Sequence, residues 1–122
     1  LGIDKVLFLD TTNGIASAKY IAKEEMCHSG GIVQGGFVTG WIDAIMALAC
    51  MAKCGSDVLV LTLEIKISFL NSARIGEIIS TAKVIKNTKS IAFLEGKIEN
   101  TDGDLIATGT CTAKLKHNFY KN

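Results

Sequence analysis

The sequence has no proline, a net charge of only +1, and few aromatic residues, 7% of its 122 positions. With no proline, repeat or low-complexity stretch there is no linker at which to divide the chain. A single domain over 1–122 is expected, with a basic, polar tail at 116–122 that frays. Thirteen basic against twelve acidic side chains make no extended positive surface, which argues against nucleic acid as a partner. No uninterrupted apolar run reaches the ~20 residues that cross a bilayer. The longest, 37–52, contains Asp43 and reads as a buried helix rather than a membrane span. The four cysteines lack a compact repeated spacing and no signal-peptide pattern opens the chain, so reduced thiols and a cytoplasmic location are the expectation. Cys27-His28 with Cys50-x-x-x-Cys54 are the candidates for zinc, but zinc sites pair cysteines across a tight turn, so no metal is expected.

Alternation is abundant. From 58 to 70, Leu59, Leu61, Leu63, Ile65, Ile67 and Phe69 alternate with Val60, Thr62, Glu64, Lys66 and Ser68, the pattern of a long strand with one apolar face. Further alternating runs follow at 77–86, 90–100 and 104–115. They are separated by turn residues at 71–76, Asn87-Thr88 and Asp102-Gly103, the last suited to a two-residue hairpin turn. Four such strands in succession predict an antiparallel meander, with weaker strands at 5–9 and 15–22. A single helix is predicted over 35–53, stopped by Gly55. Its bulky side, Phe37, Trp41, Ile45 and Leu48, is expected to pack on the sheet. Its small side, Gly36, Thr39, Gly40, Asp43, Ala47, Cys50 and Cys54, leaves room for a ligand or a second chain. This is an α+β chain in which a curved sheet of about five to six strands wraps one helix. The small stripe and an uncapped edge strand predict a homodimer.

Candidate chemistry gathers at the start of that helix. Gly30, Gly31, Gly35 and Gly36 let backbone amides approach a ligand, and the helix terminus adds roughly half a positive charge. Asp43 follows Gly36 by two turns on the same face. A carboxylate among apolar neighbours is costly unless it is paired or used, so it is read as a structural hydrogen-bonding group or as a base or nucleophile. His28 and Gln34 flank the glycines. No G-x-S-x-G elbow and no P-loop are present.

Gly30-Gly31-Ile32-Val33-Gln34-Gly35-Gly36 followed by Asp43 resembles the hotdog-fold acyl-CoA thioesterases, in the branch of the phenylacetic-acid-degradation and 4-hydroxybenzoyl-CoA enzymes. The stretch 61–70 resembles that family's first strand after the helix, and 86–93 its following hairpin. The resemblance implies a long central helix wrapped by the sheet. It also implies hydrolysis of an acyl-CoA to free acid and coenzyme A, with coenzyme A as part of the substrate and no separate cofactor. It places the carbonyl-polarising amide at Gly35, the carboxylate at Asp43 and a water-holding hydroxyl at Thr62, with His28 nearby and Gln34 and Gly36 beside the substrate. Each site would lie between two subunits of a homodimer, two dimers commonly forming a tetramer. Gln34 and His28 stand where the family often has His and Asn, and Thr62 replaces a common Ser; these exchanges keep hydrogen-bonding capacity. Lys86, Lys89 and Ser90, at the hairpin turn, are candidates to meet the phosphates of coenzyme A. A non-catalytic acyl-CoA binding module is the alternative. A dehydratase would resemble a family with histidine on the helix, which has none here.

Overall fold

The computed structural model describes residues 2–120. Strands β1 (Ile3–Asp10) and β2 (Ile15–Ala22) are followed by a 3-10 turn at Glu24–Met26 and two short strands, β3 (Cys27–His28) and β4 (Ile32–Val33). Helix α1 (Gly35–Cys54) comes next, then β5 (Leu59–Phe69), β6 (Gly76–Asn87), β7 (Ile91–Asn100) and β8 (Leu105–Lys116). The six long strands form one antiparallel sheet in the order β1-β2-β6-β7-β8-β5, and β3 pairs only with β4. The sheet wraps α1, giving the expected α+β hotdog architecture. Element ends fall within two residues of the sequence reading, and Gly55, at φ +117°, stops the helix.

The order of the strands departs from a meander. Of the four strands after the helix only β6-β7-β8 run as neighbours in chain order, while β5 lies outside β8. Alternation fixes which face a side chain takes, not which strand lies alongside it. The connection at 70–75 spans ~20 Å when extended, enough to cross the ~14 Å between the β5 and β6 positions. It is tied down as it crosses: the Leu70 and Asn71 amides both donate to Ile106 O (2.8 and 3.1 Å), and Ala73 O accepts from Val33 N–H (2.8 Å). The Asp102-Gly103 turn is also wider than two residues. Asn100 Oδ1 gathers the amides of Asp102 and Asp104, each at 3.0 Å, across a four-residue connection.

The buried seam of α1 is Val38, Trp41, Ile42, Ile45, Met46, Ala49 and Cys50. It is rotated from the predicted face, so that Phe37 is exposed and Leu48 half-buried. The cause is a pair of glycines facing each other on adjacent strands, Gly96 on β7 and Gly109 on β8. A methyl group on Gly109 would lie 2.8 Å from Ile67 Cδ1 and 2.9 Å from Ile42 Cγ2, and one on Gly96 3.2 Å from Met46 Cγ. Ile42 and Met46 of the helix therefore turn inward and fill the space that the two glycines leave. Beneath it Tyr20 stacks on Trp41, with centroids 5.6 Å apart, and donates its hydroxyl to Trp41 O (3.3 Å). At the other end of the chain, the Phe119 amide donates to Asp57 O (2.9 Å). Lys121 and Asn122, part of the tail expected to fray, lie outside the described residues.

Two predictions follow from the core. Gly109→Ala forces Ile42 or Ile67 to move and is expected to lower stability by about 1–3 kcal/mol, read as a drop in thermal midpoint; an unchanged midpoint would show that the strand yields. Cys50 and Cys111 are buried, and burial pushes their thiols up to about 12 and about 11. At about pH 8 a thiol-disulfide reagent is therefore expected to label Cys27 and Cys54 well before these two in the native protein. Equal rates at all four thiols would contradict the burial.

Candidate active site

Residues 27–34 form a small hairpin against the helix entrance. Gly30 and Gly31, at φ +95° and +71°, occupy the left-handed region that side chains with a Cβ rarely adopt. Arg74 Nη1 donates to Gly30 O (3.2 Å), and the Gln34 amide donates to Met26 O (2.9 Å). Gln34 then takes the N-cap position in extended conformation with its side chain uninvolved in capping. The first turn closes when the Phe37 amide donates to Gln34 O (3.0 Å). The amides of Gly35 and Gly36 precede that bond and meet no acceptor among the described residues, so they carry the positive end of the helix dipole outward. Gly35 and His28 line one cavity of about 420 Å³, walled further by Phe69 and Leu70 at the end of β5. His28 Nδ1 donates to Ser29 O (2.8 Å), leaving Nε2 free to accept.

Asp43 and Thr62 come together elsewhere. Thr62 Oγ1 donates to Asp43 Oδ1 at 2.9 Å, joining β5 to the side of α1 that the sheet leaves uncovered. This contact depends on a bulge. Between Thr62 and Glu64 the register of β5 against β8 slips by one residue at Leu63. Below the slip Val60 and Thr62 face the helix; above it Ile65 and Ile67 do. Leu61 and Leu63, predicted on the apolar inner face, are instead 42% and 60% exposed. The Asp43 carboxylate also adds to the rise of the buried Cys111 thiol, after desolvation as the larger cause.

Thr62, Ala113, Ala92 and Asn87 share one row across the sheet, so the hairpin bearing Lys86, Lys89 and Ser90 lies at the Asp43 end of the protomer. There Lys89 O accepts from His117 Nε2, and Ser90 O from the Leu115 amide (2.8 Å). The candidate residues thus fall into two groups, Gly35, Gly36, Gln34 and His28 at the helix start, and Asp43, Thr62, Lys86, Lys89 and Ser90 farther along. Gly35 and Asp43 are eight residues apart on one helix, ~12 Å along its axis, too far to meet at one carbonyl. The sequence reading missed Phe69 as a cavity wall; the abrupt end of the alternating run at Asn71 is the signal that could have found it. It also missed the β3–β4 pairing, which is too short to show a period. Among the described residues no three His, Cys, Asp or Glu side chains gather as a metal site. A larger hollow of about 510 Å³, bordered by Lys66, Lys83 and Lys97, contains none of the candidates.

Residues 30–107 match the family model described as the thioesterase superfamily. The chain is 34% identical to mouse acyl-coenzyme A thioesterase 13 over 122 aligned positions, covering 93% of this chain and 85% of that protein. The structure of a zebrafish thioesterase superfamily member 2 superposes with a TM-score of 0.79 at 29% identity, covering 92% of this chain and 82% of the other. A phenylacetic acid degradation-related protein from Ralstonia eutropha, described as a putative thioesterase, superposes with a TM-score of 0.83 at 26% identity, covering 89% and 82%. With the helix-start glycines and Asp43 both inside the matched span, the chain belongs to the thioesterase superfamily and is a hotdog-fold thioester hydrolase.

Proposed function

We propose that this protein hydrolyses acyl-CoA thioesters at a site assembled from two copies of the chain, the helix start of one facing Asp43 of the other. The observation that carries this reading is the separation of the two groups. Unpaired amides at Gly35 can polarise a carbonyl, and a carboxylate oriented by Thr62 can attack it or activate water, but ~12 Å of helix divides them within one protomer. A second chain related by two-fold symmetry brings each group opposite the other and makes two equal sites. The edge strand β5, with its exposed Leu61 and Leu63, and the uncovered small-residue side of α1 support the same partner. Two dimers joined as a tetramer, and a cytoplasmic location, are part of this reading.

In the reaction the thioester carbonyl oxygen accepts from the Gly35 amide. Water, losing a proton to Asp43, or Asp43 itself, adds to the carbonyl carbon. Negative charge gathers on the oxygen at the helix terminus; collapse breaks the C–S bond and coenzyme A leaves as the thiolate, which takes the proton held by Asp43 in the water route and one from solvent in the direct route. In the direct route the acyl-Asp43 anhydride is then hydrolysed by water. Thr62 keeps one carboxylate oxygen fixed while the other faces the substrate. His28 borders the carbonyl, Gln34 and Gly36 line the approach, and Lys86, Lys89 and Ser90 meet the phosphates of coenzyme A.

Asp43→Asn is expected to lower kcat for thiol release from acyl-CoA by roughly 10²-fold or more with the fold unchanged by circular dichroism, and Thr62→Ala to lower it less. Undiminished turnover by Asp43→Asn would remove the carboxylate from the chemistry. Gly35→Pro deletes the amide hydrogen at a position where proline suits a helix, and should cost about 10²–10³-fold. Refolded together, Asp43→Asn and Gly35→Pro chains should regain about a quarter of the wild-type rate, because half of the dimers then hold one intact site of two. No recovery on mixing would confine the site to a single chain.

A further inference from the structure

The cavity beside Gly35 has walls of contrasting character. Its apolar side is made by Ile32, Val33, Val38, Phe69, Leu70 and Ala73. Two of its polar side chains are tied to the protein's own backbone, Asn71 Nδ2 donating to Leu105 O (2.8 Å) and His28 Nδ1 to Ser29 O, while Ser72 is exposed at the rim. A pantetheine arm carries amides that lose free energy when buried without partners, whereas a hydrocarbon chain needs only apolar surface. Phe69 is the largest side chain of the wall. Its ring lies where a methyl group on Gly35 would come within 3.3 Å of Cζ, yet the side chain remains 56% exposed. In the isolated protomer more than half of the side chain's surface is open, so the size of the ring helps to set how far the cavity runs past the Gly35 amide.

Resting on the reading above, we infer that this cavity receives the acyl group and that Phe69 sets the acyl length the enzyme accepts. A carbonyl held by the Gly35 amide directs one substituent along the apolar wall, and the ring stands across that path. Phe69→Ala lengthens the path, and Phe69→Trp shortens it. Both variants keep the Asp43 carboxylate and the Gly35 amide.

The experiment is thiol release from straight-chain acyl-CoAs from butanoyl to palmitoyl by wild type, Phe69→Ala and Phe69→Trp, with thermal midpoints measured in parallel. Phe69→Ala is expected to raise kcat/KM for the longer chains relative to the shorter by ~10-fold or more, the scale on which hydrophobic pockets discriminate by size. Phe69→Trp is expected to move the profile the opposite way. A uniform change across all lengths places the ring against the coenzyme A arm and overturns the inference, as does an unshifted profile in both variants. Thiol release from none of these substrates by the wild type overturns the hydrolase reading itself, an outcome separate from hydrolysis with an unshifted profile. Should Phe69→Ala unfold, Phe69→Trp alone decides.

Discussion

An apolar helix of twenty residues must be covered, and the way this sheet covers it determines nearly everything else. Large helix side chains need space where the sheet presents none of its own, and Gly96 opposite Gly109 supplies that space at the middle of β7 and β8. Ile42 and Met46 sink toward the pair, the helix rotates about that line of contact, and the opposite side, from Gly36 through Asp43 to Ala47, is left uncovered. Asp43 therefore escapes full burial without the help of an ion pair. A helix turned about a quarter-turn further would bury the carboxylate among aliphatic side chains, at a penalty of several kcal/mol.

The bulge at Leu63 is the second consequence of the same packing. An unbroken β5 would direct Leu59, Leu61 and Leu63 inward with Ile65 and Ile67, and Thr62 outward. One extra residue exchanges those faces halfway along the strand, so the upper half keeps Ile65 and Ile67 under the helix while the lower half brings Thr62 to Asp43. Exposing Leu61 and Leu63 forgoes up to about 1.5–3 kcal/mol of burial for each side chain. In an isolated protomer the inward turn of Val60 and the Thr62–Asp43 bond offset part of that loss. A partner chain laid along the β5 edge would restore the missing burial.

Much of this fold was legible because its signals are periodic. The long strands announce themselves by two-residue alternation, the helix by its apolar run and by Gly55, and the candidate residues by glycine clustering and by one carboxylate where none is cheap. What could not be read depends on neighbours. Strand order is invisible to alternation, so β5 reads as the partner of β6 although a six-residue crossover carries the chain past two strands. The bulge is invisible because the letters of β5 alternate without a break through Leu63; the slip shows only in the pairing with β8. The helix face was misjudged for a related reason. Trp41 and Ile45 are correctly placed, but Phe37 and Leu48 were assigned by bulk, whereas the sheet selects by where its glycines leave space.

The division of the candidate residues between the two ends of the protomer also gives meaning to the uneven charge along the chain. Basic residues accumulate after position 83, and the folded chain puts Lys86, Lys89, Lys114 and Lys116 at the hairpin end near Thr62. The helix start is different, with glycine amides and an apolar wall. A thioester of coenzyme A has the same polarity along its length, phosphates at one end and hydrocarbon at the other, with the reactive carbonyl between them. A single protomer holds these environments too far apart in the wrong sequence, because its own Asp43 lies on the lysine side of the helix and its own Gly35 on the apolar side. In the proposed two-fold dimer the apolar end of one chain would lie beside the basic end of the other, so that the carbonyl, the carboxylate and the phosphates are met in the order in which the substrate carries them.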